Sequence, residues 1–275
     1  MAQTATTFPA ITQTPAYNPL LPIFSLWRRE IVRFYRQKAR VVGVILSPLL
    51  FWLVIGSGFG SSFRSGGGDQ HYLQYFYPGS LLMIVLFTSI FTMMSVIEDR
   101  DRGFLSSVLV APVSRSAIVM GKVLGGTTLS AAQGLIFLVF APAVGAHFTA
   151  ESFAIDVVSV FLMAFSLTAL GFALAWRMES AQAFHAIVNL FLIPLWILSG
   201  ALFPVNGASG WIQWIMRLNP LTYGLDALRT ALFPATAGMN QFSVSTSLAI
   251  LTVFTLVIFA AAFLMVNRRT TRPAA

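Results

Sequence analysis

Long apolar segments set the first constraint on this chain. About 20 consecutive apolar residues cross the hydrocarbon of a bilayer. Stretches of that kind lie near residues 41–60, 78–97, 119–145, 153–176, 183–203 and 246–266. Hydrophobic residues make up 57% of the 275 positions and charged residues 9%, with a mean hydropathy of +0.79. A soluble domain would carry about a quarter charged residues. The expected fold class is an all-α membrane protein with six transmembrane helices.

The formal charge of +8 could signal nucleic acid, but its distribution follows the positive-inside pattern instead, and no nucleic-acid partner is expected. Of the seventeen basic residues, only Arg64, Arg217 and Arg229 fall on one side of the six-span layout. Both termini and the 98–122 connection are therefore expected on the cytoplasmic side of a bacterial inner membrane. The absence of cysteine excludes a disulfide framework, a thiolate nucleophile and a cysteine-ligated metal. His71, His147 and His185 are too scattered to suggest a metal site.

The centres of the spans hold no ionisable residue, although such residues usually mark ion pathways. Asp156 and His185 lie near span ends, and Asp156 reads as a topological or capping residue. This pattern weighs against a proton- or sodium-coupled transporter, a charged-ring channel and an intramembrane hydrolase, and no catalytic residue is expected. Large or amphipathic cargo remains compatible. No phosphate-binding loop exists either. The one Gly-Lys pair, Gly121-Lys122, is followed by Val123 rather than serine or threonine, and Ser116 stands in the place of the first glycine. This chain is therefore not expected to bind or hydrolyse ATP, and if it carries out a powered transport the power comes from another polypeptide.

Along the chain, residues 1–22 hold four prolines among threonines without lysine or arginine, and read as a disordered tail rather than a signal peptide. The first span then acts as an uncleaved membrane signal. A single transmembrane domain is expected over 23–268, and 269–275 form a cytoplasmic tail. Residues 23–40 place Phe24, Trp27, Ile31, Phe34 and Tyr35 at helical spacing among Arg28, Arg29, Arg33, Arg36, Lys38 and Arg40, with Glu30 as the only acid. That is the composition of a helix lying in the interface with membrane lipid. The 58–77 loop, with Gly66-Gly67-Gly68, reads as a flexible turn. Gly56/Gly60 and Gly121/Gly125 have the spacing that lets helices approach closely, read here as packing sites.

After the fifth span, Trp211, Ile212, Trp214, Ile215 and Leu218 form a short apolar-aromatic face. Asn219-Pro220 then gives an N-cap and a first-turn proline. Asp226 and Arg229 follow at i,i+3 spacing, within pairing reach. Neither short helix can cross a bilayer, so both are expected to dip into or lie on the outer leaflet.

The densest mixed charge between two apolar segments is Glu98, Asp99, Arg100, Asp101 and Arg102. Gly103 follows, then an apolar helical piece carrying Phe104, Leu105, Val108 and Leu109 on one face. Pro112 biases Ala111 away from helical dihedrals and ends the piece near Val110. Ser114 or Ser116 can cap the next helix. Such a short charged-entry helix is a plausible docking knob for a soluble partner.

This tract resembles the cytoplasmic connection of the type-two ABC exporter permeases, the membrane subunits of drug-resistance and nodulation-factor exporters. The resemblance rests on Glu98, Arg100, Arg102, Gly103-Phe104-Leu105, Leu109, Pro112-Val113-Ser114-Arg115 and Gly121-Lys122. Two further tracts agree. One is Tyr72-Leu73, Tyr75 and Pro78-Gly79. The other runs Ser199-Gly200, Phe203-Pro204, Trp211, Leu218-Asn219-Pro220-Leu221-Thr222-Tyr223, Asp226 and Arg229. Two places depart from it: Ser106 and Ser107 stand where many relatives carry an acid, and Ser209-Gly210 where many carry a proline. The resemblance implies a permease subunit of an ATP-driven exporter moving a drug, a lipid or a lipid-linked glycan out of the cytoplasm. Two separate ABC ATPase subunits would bind ATP and magnesium, so this chain carries no cofactor. A second copy or a paralogue would complete the permease. The resemblance further implies a coupling helix near 103–111, with Glu98, Arg100, Asp101 and Arg102 at its rim. An interface helix would be built on Trp27, Arg28, Arg29, Arg33 and Arg36. An external re-entrant pair would comprise Phe203, Pro204, Trp211, Trp214, Asn219, Pro220, Tyr223, Asp226 and Arg229. The contrasting possibility is a membrane-embedded scaffold or lipid-modifying protein without an ATPase. The residues that bind substrate are not legible.

Overall fold

The computed structural model describes residues 20–58, 72–234 and 242–267, and the described residues form helices and connecting turns without a sheet. Residues 1–19, the 269–275 tail, the 66–68 glycine turn, Arg64 and the Gly60 half of the Gly56/Gly60 pair lie outside them, whereas residues 20–22, expected in the disordered tail, already belong to the first helix. Helix α1 (Leu20–Arg36) is followed by α2 (Lys38–Gly58), then α3 (Tyr72–Thr92) and α4 (Met94–Asp101), which together make one 30-residue rod. The short α5 (Phe104–Val110) leads into α6 (Arg115–Leu138) and a 3₁₀ turn at Ala141–Val144. Next come α7 (Ala150–Arg177), α8 (Ala181–Trp196) with a π-turn at Ile197–Ala201, α9 (Gly210–Leu218), α10 (Pro220–Leu232) and α11 (Val244–Asn267).

Among the described residues, four helices are long and apolar enough to cross a membrane: Tyr72–Asp101, Ala150–Arg177, Ala181–Ala201 and Val244–Asn267. The other two expected spans fall in α2 and α6, of 21 and 24 residues. Boundaries move where local chemistry dictates. The third expected span, 119–145, is interrupted at its far end because Pro142 starts a 3₁₀ turn that Gly145 closes with φ 83°. Helix α3 begins well before Pro78 and carries it inside.

Burial is graded across the bundle. In the most apolar window of each span, 78% of residues are buried in Tyr72–Asp101, 56% in α7, 33% in α8 and 22% in α11. Helix α3 is thus the axis, packed against α2, α6 and α7, while α11 rides on α7 and α10. Interhelical polar bonds cross this core. Tyr77 donates to the Phe137 carbonyl, and Thr88 donates to Gln133. Asp156, read as a topological or capping residue, is fully buried within α7, and Thr149 takes the capping role through a capping box with Ser152.

Candidate functional site

The charged end of the bundle is built where α1, α4, α5 and α6 meet. Gly103 makes the corner between α4 and α5 with φ 72°, a left-handed conformation that a side chain would strain. Ala111 is extended and α5 ends at Val110, as the proline at 112 requires. Ser114 then caps α6 by accepting from the Ala117 N–H at 3.3 Å.

Within this corner lies a buried knot of charge. Arg29 on α1 holds Asp99 bidentately, with both bonds at 2.6 Å, and Arg33 donates to the same carboxylate at 2.9 Å and also to Glu98. From α6, Lys122 Nζ donates to Glu30 at 2.6 Å, to Ser95 Oγ at 3.1 Å, and to Asp99. Glu30, Asp99 and Lys122 have side-chain exposures of 2%, 0% and 1%. Three cations and three anions therefore neutralise one another, with Glu30, Asp99 and Lys122 out of water and Arg29, Arg33 and Glu98 at the edge of the knot. Removing one partner of a buried pair leaves an uncompensated charge, at a cost of about 3–5 kcal/mol. The hydrogen bond to Asp99, opposed by burial, raises the Arg29 guanidinium above its already high ordinary pKa. Arg29 also lies over the Phe104 ring at 3.7 Å, so one side chain joins α1, α4 and the first residue of α5.

Helix α1 reaches this position through close backbone approach. A Cβ added at Gly121 would sit 2.7 Å from Leu26 Cβ, and one at Gly125 would sit 2.8 Å from Glu30 Cβ. The Gly121/Gly125 pair is thus a packing groove for α1. The Gly56 half of the other pair meets Leu73, at 2.9 Å from an added Cβ.

The short helix α5 divides its residues between two faces. Leu105 is buried with Leu26 and Ile118, and Phe104 and Val108 pack against that cluster with Val113 and Trp176. Ser106 and Ser107 are exposed, as are Leu109 and Val110 at 44% and 86%. The surface open to a partner is therefore Ser106, Ser107, Leu109 and Val110 rather than the whole apolar stripe. Asp101, Arg102 and Gly103 are exposed beside it, whereas Glu98 is half-buried.

Two arginines of the same region grip other helices by their C-terminal carbonyls. Arg100 donates to the Trp176 and Met178 carbonyls, each at 2.6 Å, at the end of α7. Arg115 donates to the Val266 carbonyl at 3.2 Å, at the end of α11. On α1, Trp27 donates to Thr128 Oγ1 at 3.1 Å, while Arg28 and Arg36 are exposed.

At the opposite end, Asn219 caps α10 by accepting from the Leu221 N–H at 3.0 Å, with Pro220 in the first turn. Tyr223 donates to the Arg217 carbonyl, and Asp226 accepts from Ser247. Arg229 donates to the Gly200 carbonyl at 3.1 Å and lies over the Tyr75 ring at 4.3 Å. Phe203 and Pro204 are half-buried in the turn before α9. Trp211, Trp214, Ile215 and Leu218 form the exposed face of α9.

Sequence reasoning missed Glu30, Asp99 and Lys122 as members of one site. A usable signal was present. Glu30 is the only acid in a basic helix, and Lys122 sits two turns inside a helix that has no acid, so the lysine lacked a partner nearby in sequence.

An all-helical bundle with several helices long and apolar enough to cross a bilayer defines a membrane protein. Residues 22–233 match the family described as ABC-2 type transporter, and the chain belongs to that family. Its relatives include the transport permease ycf38 of Cyanophora paradoxa, 30% identical over 210 residues, covering 75% of this chain and 72% of that protein. The inner membrane transport permease YadH of Escherichia coli K12 is 25% identical over 254 residues, covering 89% and 94%. The daunorubicin resistance ABC transporter permease protein DrrB1 of Streptomyces coeruleorubidus is 26% identical over 220 residues, covering 78% and 75%.

Proposed function

We propose that this chain is the permease subunit of an ATP-driven exporter in a bacterial inner membrane, with the charged end and both termini facing the cytoplasm. It crosses the bilayer six times, with α2 and α6 completing the set of spans. Separate ABC ATPase subunits, two per complex, dock on α5 and carry the ATP and magnesium. A second permease copy or a paralogue completes the pathway. The cargo is amphipathic or hydrophobic: a drug, a lipid or a lipid-linked glycan. The drug-resistance relative favours the export direction.

The observation that carries the reading is the buried charge knot behind α5. A force on the exposed Ser106, Ser107, Leu109 and Val110 surface reaches α1, α4 and α6 through Arg29 and Lys122, and reaches the ends of α7 and α11 through Arg100 and Arg115. ATP-driven motion of a docked subunit then biases the whole bundle between inward- and outward-open states. At the other end, the exposed tryptophan face of α9 rests in the outer leaflet, and α10 closes the outer mouth.

The test is co-purification with the ATPase encoded alongside, followed by substrate-stimulated ATP hydrolysis in proteoliposomes. Val110→Asp changes only an exposed side chain, so insertion should persist while stimulation is lost. Stimulation that survives in both Val110→Asp and Ser107→Arg would remove α5 from the coupling path.

A further inference from the structure

The outer end of α8 is broken, and the break exposes carbonyls that an unbroken helix would have used. Pro194 lies inside α8, and the Ile197–Ala201 π-turn follows with Gly200 at φ 90°. A π-turn inside a helix is a recurrent mark of function. Side chains from two other helices satisfy the freed groups. Asn219 donates to the Leu195 carbonyl at 2.6 Å. Tyr72 donates to the Leu202 carbonyl at 3.0 Å, and Tyr75 to the Gly200 carbonyl at 2.8 Å. Gly200 receives a second bond from Arg229 at 3.1 Å. The π-turn also presses on α3 itself, since a Cβ at Gly79 would lie 2.8 Å from Ala201 Cβ.

One donor of this cluster has no acceptor among the described residues. Arg229 is 9% exposed, and its Nε is buried without a hydrogen-bond acceptor among the described residues. Beside it is a cavity of about 20 Å³ lined by Tyr75, Ser199, Thr222, Asp226 and Arg229, among others. A cavity needs roughly 10–15 Å³ of that measure to hold one water, along with two to four polar partners. This one meets both conditions. It is too small for an organic headgroup, and an Asp and an Arg in the same wall favour neither an anion nor a cation over a neutral ligand.

We propose that this cavity binds a single water molecule that completes a polar latch holding the broken end of α8 to α3 and α10. The water oxygen accepts the Arg229 Nε–H, and its two protons go to acceptors in the wall, the Asp226 carboxylate foremost. Arg229 is thereby fixed over Tyr75 with its Nη2 on the Gly200 carbonyl. Releasing the water loosens all three elements together, which makes the latch a pin on whatever motion opens this end of the bundle. The site does not depend on the identity of the cargo.

Synchrotron hydroxyl-radical footprinting in H₂¹⁸O on the full chain in lipid nanodiscs tests the site, because bound water generates radical beside buried side chains. Tyr75 and Tyr77 share a helix and have exposures of 4% and 0%. Tyr75 is expected to take up label severalfold faster than Tyr77. Val205 also lines the cavity, and Val205→Ile, which adds one methylene there, is expected to bring Tyr75 down towards the Tyr77 rate and lower the Tm. Equal labelling of the two tyrosines in the parent chain overturns the proposal, whether or not the variant folds. Labelling at Tyr75 that Val205→Ile leaves unchanged in a folded chain also overturns it, since the radical source is then elsewhere. A Tm raised by Val205→Ile identifies the cavity as dry and has the same consequence.

Discussion

Lys122 shows how much one side chain can decide in this bundle. It is the only cation that α6 offers to Glu30 and Asp99, and both acids are buried. Lys122→Met removes the charge while keeping most of the stem volume, so two carboxylates face one another with reduced compensation. A loss of about 3–5 kcal/mol is expected, read as a lowered Tm of the purified protein in detergent. The Glu30, Asp99 and Lys122 side chains are shielded from solvent, so raising the salt to high ionic strength should lower the Tm of the parent chain far less than Lys122→Met does. Gly121→Ala attacks the same contact sterically. With Leu26 Cβ 2.7 Å from the added methyl, α1 has to shift, at a cost of about 1–3 kcal/mol. A changed emission of Trp27, whose indole bonds Thr128, would report that shift. If both variants melt like the parent, α1 is not held by this corner.

The helices were legible in the sequence to different depths. Spacing and turn chemistry located α5, its end at Val110 and the Asn219-Pro220 start of α10, because those signals are local: a proline, a cap, a glycine corner. Which face of α5 turned inward was not legible. Phe104, Leu105 and Val108 are apolar enough to serve either a partner or the bundle, and only the positions of Leu26, Ile118 and Trp176 decide it. The same holds for Arg100, read as a rim charge, and Arg115, read only as part of the motif, which donate to carbonyls at the ends of α7 and α11. Cations near helix C-termini stabilise by about 0.3–1 kcal/mol, and up to about 2 when partly buried. Arg115→Ala should therefore cost on the order of 1 kcal/mol. Its signature is selective: faster proteolysis after Val266, with the ends of α7 unaffected. Arg100→Ala should show the converse pattern.

At the scale of the molecule, the gradient of burial from α3 to α11 decides what the surroundings must be. Val253, Leu256 and Val257 are 60%, 63% and 58% exposed, an apolar face that has to be covered by lipid or by another apolar surface. The chain has no cysteine, so a nitroxide on Leu256→Cys reports a single place. It should be relaxed by oxygen and protected from a water-soluble nickel reagent; the reverse accessibility would place α11 outside the hydrocarbon. The overall class was readable from hydropathy alone, since lipid admits few alternatives to helices. The long-range pairings were not, because Glu30 and Lys122 are brought together by packing and not by any local rule.

The sequence distance in that pairing also carries a schedule. Glu30 precedes Lys122 by 92 residues. At ribosomal speeds of about 5–20 residues per second, α1 emerges roughly 5–20 s before the lysine that neutralises its acid. During that interval Arg29 and Arg33 have no Asp99 until α4 is made, and Glu30 has only arginines for company. The newborn α1 is thus a basic helix suited to wait on the anionic membrane surface, and it can settle into its glycine groove only once α6 has been threaded into the bilayer. Assembly of this end of the bundle is gated by translation rather than by diffusion.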